Sequence, residues 1–269
     1  METQSKNLIV IGDPIKDCYI TTEGNRTTSY EERDGGALNV YSNAVNLLKP
    51  QKIIFYPNVY DNNYYKILRI DNQKDIAMYP SHSKTNFYQF NLSKRIIESL
   101  SLSHSPESAL VLSDYNKGIL NTRINLSVSP YFKYSVIDTR YRSINLNYLK
   151  LSKINIWRCT GKEYESEFAT NFDYIIWTDA EKPIKILNRK QEIINIIEYT
   201  PASEEKVIDT CGAGDTFTAT VASFLFKKKR IDLESITDAC NYAVVCCQEI
   251  IQYPKTSVIP QKFNLHKRK

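Results

Sequence analysis

In the last quarter of the chain, Asp209-Thr210-Cys211-Gly212-Ala213-Gly214-Asp215-Thr216-Phe217 places small residues and a carboxylate directly ahead of an apolar run. Small side chains at 212–214 let the backbone approach a ligand closely and take conformations closed to larger residues. A helix starting here leaves its first N–H groups without internal partners, with the positive end of the helix dipole behind them. Such a terminus holds an anion and suits a phosphoryl group in transfer. Asp215 falls in the same first turn, where a carboxylate can take the proton of an attacking hydroxyl. The chemistry implied is phosphoryl transfer to an alcohol, with Gly212, Ala213 and Gly214 as an anion hole and Asp215 as general base. The simpler alternative is a glycine turn with Asp215 as a plain helix cap. The apolar helix that the chemical reading requires does follow, over 214–227.

These residues need elements to position them. Leu8-Ile9-Val10-Ile11 is a short apolar run closed by Gly12-Asp13, which predicts a buried strand and a turn. Residues 21–34 are polar and read as a short hairpin or loop. Gly35-Gly36 opens a helix whose apolar face is Leu38, Val40, Ala44, Val45 and Leu48, with Pro50 marking its end. Further strands are expected at 53–56, 109–113, 135–138, 154–157 and 174–178, and a second late helix at 234–250. The tyrosine-rich stretch 61–92 alternates without giving an assignment. Strands alternating with helices predict a mostly parallel sheet covered on both faces. Ligands then bind beyond the strand ends. With no repeat or low-complexity linker, residues 1–269 read as one domain.

Bulk properties bound the function. The 269 residues are 42% hydrophobic and 24% charged, enough for one α/β core. The net charge of +5 sits largely in Lys227–Arg230 and His266–Lys269. A solvated helix end and a frayed terminus account for these better than a nucleic-acid face. No secretory signal is read at the polar start, and no run reaches the roughly 18 apolar residues of a membrane span. Six scattered cysteines (18, 159, 211, 240, 246, 247) lack paired spacing and read as reduced thiols of a cytoplasmic protein. Three histidines give little support to a metal site built on them. The bias to Lys, Ile, Tyr and Asn suggests an AT-rich coding sequence, and a host cytoplasm if the source is viral.

Asp209–Asp215 resembles DTxGAGD, the C-terminal signature of the ribokinase and phosphofructokinase-B family of carbohydrate kinases. Glu31-Glu32-Arg33-Asp34-Gly35-Gly36-Ala37-Leu38-Asn39-Val40 resembles that family's first signature, in the form EERPGGAANV of its heptose-phosphate kinase branch. Val111-Leu112-Ser113-Asp114-Tyr115-Asn116-Lys117-Gly118-Ile119-Leu120 is similar to the branch's VLSDYxKGxL. Gly12–Asp17 resembles the end of the first strand, and Tyr253–Val258 the closing segment. The resemblance implies a ribokinase-like three-layer α/β/α sandwich with a reduced β lid, its elements near 18–34 and 61–92. It implies Asp215 as base, 212–214 as anion hole, and Asp17, Gly35, Gly36 and Asn39 as substrate-binding positions. Lys117 and Arg140 fall where a cation meets a sugar phosphate, with a surface role as the even alternative. Thr178 and Asn241 fall on the nucleotide side. ATP, Mg²⁺ and a monovalent cation are the implied cofactors, and a sugar or sugar phosphate the substrate. The implied partners are a second copy of the chain or a separate nucleotidyltransferase, since no HxGH-type motif follows.

Several positions depart from the family pattern. The lid segments are short, and the usual GxDxxG turn is Pro57-Asn58-Val59-Tyr60-Asp61. The magnesium-associated NxxE reads Thr160-Gly161-Lys162-Glu163, leaving Glu163 to hold Mg²⁺ through water. The nucleotide-side GExG reads Ala180-Glu181-Lys182-Pro183, and proline removes a donor. Three readings remain open: an active sugar or sugar-phosphate kinase, a ribokinase-fold binding or regulatory protein without turnover, and a nucleoside kinase. For the last, some of the 19 tyrosines would supply an aromatic slot.

Overall fold

A computed structural model describes residues 6–24, 26–57, 65–70, 73–78, 105–115, 120, 131–139 and 144–261. Twelve strands form two sheets among these residues. β1 (Leu8–Gly12), β4 (Ile53–Pro57), β7 (Ala109–Asp114), β8 (Tyr134–Thr139), β9 (Asn155–Thr160), β10 (Tyr174–Asp179), β11 (Lys182–Asn188) and β12 (Ile193–Ile197) make the main sheet. Its order is β12-β11-β10-β9-β8-β7-β1-β4. From β4 to β10 every pairing is parallel, and β10, β11 and β12 form an antiparallel edge. β1, β7 and β8 are buried along their whole length. That is why β1 and most of β7 read as apolar runs, as strands covered on both faces do, while β8 keeps buried Ser135 and Asp138 beside Val136 and Ile137.

The two faces hold separate cores. α1 (Ala37–Leu47), α2 (Ala213–Lys227) and α3 (Leu233–Ile250) cover one face, where Leu8, Val10, Val111 and Val136 meet Val40, Phe217, Val221, Leu225 and Ile236. Burying each such side chain contributes about 1.5–3 kcal/mol. On the other face Ile9, Ile11, Leu110 and Leu112 pack toward an aromatic group of Trp157, Phe168 and Phe172. Trp157 meets Phe168 edge-on and stacks on Phe172. Among the described residues this side is covered by the 3₁₀ turn Leu146–Leu151 and the helical turn Ser166–Ala169. α3 starts in a capping box, Ser235 N–H donating to Asp232 and Asp232 N–H to Ser235 Oγ.

The second sheet is the lid. β2 (Pro14–Glu23), β3 (Arg26–Gly36), β5 (Tyr65–Ile70) and β6 (Gln73–Met78) lie in the order β3-β2-β5-β6. The hairpin expected at 21–34 is longer than its polar sequence suggested. β2 and β3 pair from Pro14↔Gly36 to Glu23↔Arg26. Most of β3 is solvated, so no apolar alternation marks it. The antiparallel β11–β12 pair was not anticipated either. Pro183 enters β11 beside a register shift in its pairing with β10, where an absent N–H costs no regular ladder bond. The architecture is the expected mostly parallel α/β sheet with a small β lid. No described helix is long and apolar enough to cross a membrane.

Candidate active site

The site lies where the sheet order reverses. β1 is flanked by β7 on one side and β4 on the other, so chain crossovers leave it in opposite directions. Such a switch point opens a crevice beyond the strand ends. Asp13 follows β1 and donates its N–H to Ser113 O at 3.1 Å. Its Oδ2 accepts the Tyr115 N–H at 2.9 Å, which holds the end of β7 against the end of β1.

The loop before α2 is built by its own residues. Asp209 Oδ1 accepts the Cys211 N–H at 2.8 Å, and Oδ2 accepts the Lys255 N–H at 3.0 Å. Gly212 then adopts φ 82° and its carbonyl accepts the Thr216 N–H at 2.9 Å. This left-handed turn needs glycine twice over. A Cβ at 212 would stand 2.6 Å from Asn39 Nδ2 and 2.9 Å from Thr256 Cγ2. Asp215, 4% exposed, sits in the first turn of α2. Tyr115 Oη donates to its Oδ1 at 2.7 Å and Asn39 Nδ2 to its Oδ2 at 3.3 Å. Asn39 is fixed by Asn43, whose Nδ2 donates to Asn39 Oδ1 at 2.9 Å.

The lid side converges on the same place. Asp17 on β2 is buried and accepts from Arg69 Nε at 3.1 Å and Nη2 at 2.9 Å. Its other oxygen accepts from Thr256 Oγ1 at 2.7 Å. The Thr256 N–H donates to Tyr19 Oη at 2.6 Å. Gly35 lies against Asp17, where a Cβ would come within 2.7 Å of Oδ2. Gly36 caps α1, and the next N–H, of Ala37, donates to Asp13 O at 3.0 Å. Burial pushes the Tyr19 phenol up to about 12, so it stays neutral beside Asp17. Burial, with the neighbouring Asp209, raises the Cys211 thiol to about 11.

Beyond the α2 start is a cavity of 310 Å³. Arg158, Thr160, Thr178, Ala213 and Gly214 line one part. The rest is more apolar, with Ile184, Tyr199, Pro201, Val244 and Ile251 among its walls. Ala180 stands at φ 49°, a conformation that costs a non-glycine residue roughly 1–2 kcal/mol. Tyr199 Oη donates to its carbonyl at 2.5 Å and holds that turn over the cavity.

Of the residues singled out from sequence, Asp17, Gly35, Asn39, Gly212 and Asp215 come together through the contacts above, and Ala213, Gly214 and Thr178 line the cavity. Asn241 is exposed on α3, one turn before the lining residue Val244, and does not line the cavity. Glu163 Oε2 accepts the Thr160 N–H at 2.8 Å, so one carboxylate oxygen closes the turn after β9. Lys117 and Arg140 lie outside the described residues. No group of three or more His, Cys, Asp or Glu suited to a metal occurs among the described residues. Four contributors had no role assigned from sequence: Tyr115, Arg69, Thr256 and Arg158. Arg158 carried a usable signal, because a cation on a strand buried on both faces requires a partner and a purpose.

Residues 183–262 match the family model for pfkB family carbohydrate kinase. The bifunctional protein HldE of Yersinia pestis (strain Pestoides F) is 24% identical over 271 residues, covering 81% of this chain and 55% of the relative. HldE of Yersinia pseudotuberculosis serotype O:3 (strain YPIII) matches to the same extent. The chain thus spans about half the length of the curated relatives it matches. Among solved structures, ribokinase from Giardia lamblia superposes with a TM-score of 0.65 at 14% identity, over 95% of this chain and 96% of that one. Phosphofructokinase-2 from Escherichia coli gives 0.63 at 13% identity, with the same coverage. The nucleoside kinase of Methanocaldococcus jannaschii gives 0.56 at 13%, over 96% and 95%. The chain has a ribokinase-like α/β fold, and its segment 183–262 is similar to pfkB family carbohydrate kinases.

Proposed function

We propose that the chain transfers a phosphoryl group from ATP to a hydroxyl of a sugar or sugar phosphate. The observation that carries this reading is Asp215, buried in the first turn of α2 behind the left-handed Gly212, with both carboxylate oxygens held. Asp215 takes the acceptor hydroxyl's proton as that oxygen attacks. The N–H groups at 212–214 receive the charge on the phosphoryl oxygens, and a fixed backbone needs no reorganisation to do so. Asp17, beside Gly35 and Thr256, is placed to accept hydrogen bonds from other hydroxyls of the acceptor.

The cavity fits a nucleotide in its chemistry. Its apolar walls at Ile184, Tyr199 and Val244 suit a base, and Arg158, Thr160 and Gly214 suit phosphates. ATP supplies the activated phosphoryl group. Mg²⁺ needs one or two carboxylates besides waters and phosphates, and Glu163 is the candidate carboxylate. The motif likeness at 31–40 and 111–120 to heptose-phosphate kinases favours a phosphorylated acceptor.

The test is ADP formation by purified protein with Mg²⁺-ATP and a panel of heptose, hexose and pentose phosphates and nucleosides. Turnover on a sugar phosphate is expected, with a loss of at least ~10³-fold in kcat for Asp215→Asn. Equal turnover by the variant, or none by either protein, rejects the reading. Ala180 at positive φ and the Glu163 turn favour a second reading, a nucleotide-binding protein without transfer. Nucleotide binding without turnover on any acceptor would establish it. Turnover on a nucleoside alone would place the chain with nucleoside kinases.

A further inference from the structure

We propose that Arg158 binds the phosphoryl group in transfer and holds its charge against the start of α2, an inference that rests on the kinase reading above. Arg158 lies on β9, an apolar strand, and is 9% exposed. A guanidinium at such a position costs free energy unless it is paired. Its register partner on β8 is Asp138, with Nη1 at 3.4 and 3.5 Å from the two carboxylate oxygens. Asp138 is fixed from α2 by Thr218 Oγ1, which donates at 2.7 Å. The ion pair is loose, since close N–H···O contacts between charged groups run about 2.7–2.9 Å. Asp138 neutralises and orients Arg158 from the neighbouring strand.

The other end of the side chain faces the anion hole. A Cβ built on Gly214 would meet Arg158 Nη1 at 3.1 Å and Nη2 at 3.4 Å, the nearest atoms around that glycine. Gly214 is helical, so its backbone does not demand glycine. The guanidinium therefore stands in close contact with position 214. Arg158 also lines the cavity beside Thr160, Thr178 and Gly214. Its contact with Gly214 and its place in the lining put this cation at the polar part of the cavity, next to the first N–H groups of α2.

In the transfer, the acceptor oxygen forms a new P–O bond and the bridging bond to the leaving diphosphate breaks. The hydroxyl proton goes to Asp215. Arg158 exchanges no proton. Its planar fork takes up charge on the phosphoryl oxygens, as arginines do in phosphoryl transfer. The neighbouring Thr160, where the family pattern carries Asn, leaves this charge more dependent on Arg158.

Arg158→Met alone strands Asp138, so Arg158→Met with Asp138→Asn is the decisive variant, and Arg158→Lys retains a cation. Two readouts are used: kcat on the accepted sugar, and calorimetric affinities for ADP and a non-hydrolysable ATP analogue. The double variant is expected to fold, lose ~10²–10³-fold in kcat and lose about tenfold of the preference for the triphosphate over ADP. Arg158→Lys should recover part of the preference and little of kcat. Wild-type kcat and preference in the double variant would overturn the proposal. If the wild-type protein shows no turnover on the panel, the kinase reading fails, and the calorimetric preference alone decides the role of Arg158.

Discussion

Tyr115 Oη donates a 2.7 Å hydrogen bond to Oδ1 of Asp215, joining the end of β7 to the first turn of α2. The second oxygen of Asp215 is held by Asn39 from α1. The carboxylate is therefore aimed by two elements that themselves do no chemistry. A hydrogen bond to a charged group contributes about 1.5–3 kcal/mol. Tyr115→Phe should lower kcat by roughly 10- to 100-fold with KM for the acceptor little changed. An unchanged kcat would reduce Tyr115 to packing.

Gly212→Ala tests the turn. The left-handed backbone costs alanine roughly 1–2 kcal/mol. The methyl must also displace Asn39 or Thr256, which adds about 1–3 kcal/mol. Thermal unfolding should fall by about 5–10 °C. Because Asn39 holds Asp215, kcat should fall as well, and a stability change without a rate change would contradict the geometry.

The Asp17–Arg69 pair is mostly buried, with side chains 6% and 15% exposed. Arg69→Met leaves a carboxylate inside without its cation, a loss of about 3–5 kcal/mol measured by urea unfolding. Adding Asp17→Asn removes the stranded charge and should restore much of that stability. On the proposed function the double variant should still bind the acceptor poorly, because the carboxylate proposed to meet its hydroxyls is gone. Normal acceptor affinity in the double variant would place the sugar elsewhere.

Cys211 sits in the signature loop, yet burial and Asp209 hold its thiol near 11. Only about 10⁻⁴ of it is thiolate at neutral pH. Alkylation by iodoacetamide should be slow at pH 7 and accelerate about tenfold per pH unit as the pH rises toward that value. Cys211→Ser should retain turnover. Fast labelling at neutral pH would show a different environment for this loop.

The helices and central strands were readable because burial on one stripe or on both faces leaves a clear apolar pattern. α1 starts directly after Gly36 and ends three residues before Pro50, α2 starts directly after Gly212, and α3 begins at Leu233, one residue before the expected start. The lid hairpin was harder. Arg26–Asp34 is held by pairing with β2 and by surface ion pairs such as Lys16–Asp34, which leave no periodic trace. The β11–β12 edge was hidden by Pro183 and by exposed Ile193 and Ile196. In the candidate site, the turn at 209–215 was legible because its geometry is local, with Asp209 accepting from Cys211 and Gly212 from Thr216. Tyr115, Arg69, Thr256 and Arg158 act through partners 20 to 239 positions away, which spacing does not reveal.

Lys255 and Thr256 form a clasp between the lid and the signature loop. The Lys255 N–H goes to Asp209, its ammonium pairs with Glu31 on β3, and Thr256 bonds both Tyr19 and Asp17 on β2. A hinge that swings the lid cannot leave these bonds in place. Lid opening and loosening of the anion hole are then one cooperative event, and their amides should share a single free energy of hydrogen exchange. In this protein the gate and the floor of the site would breathe together.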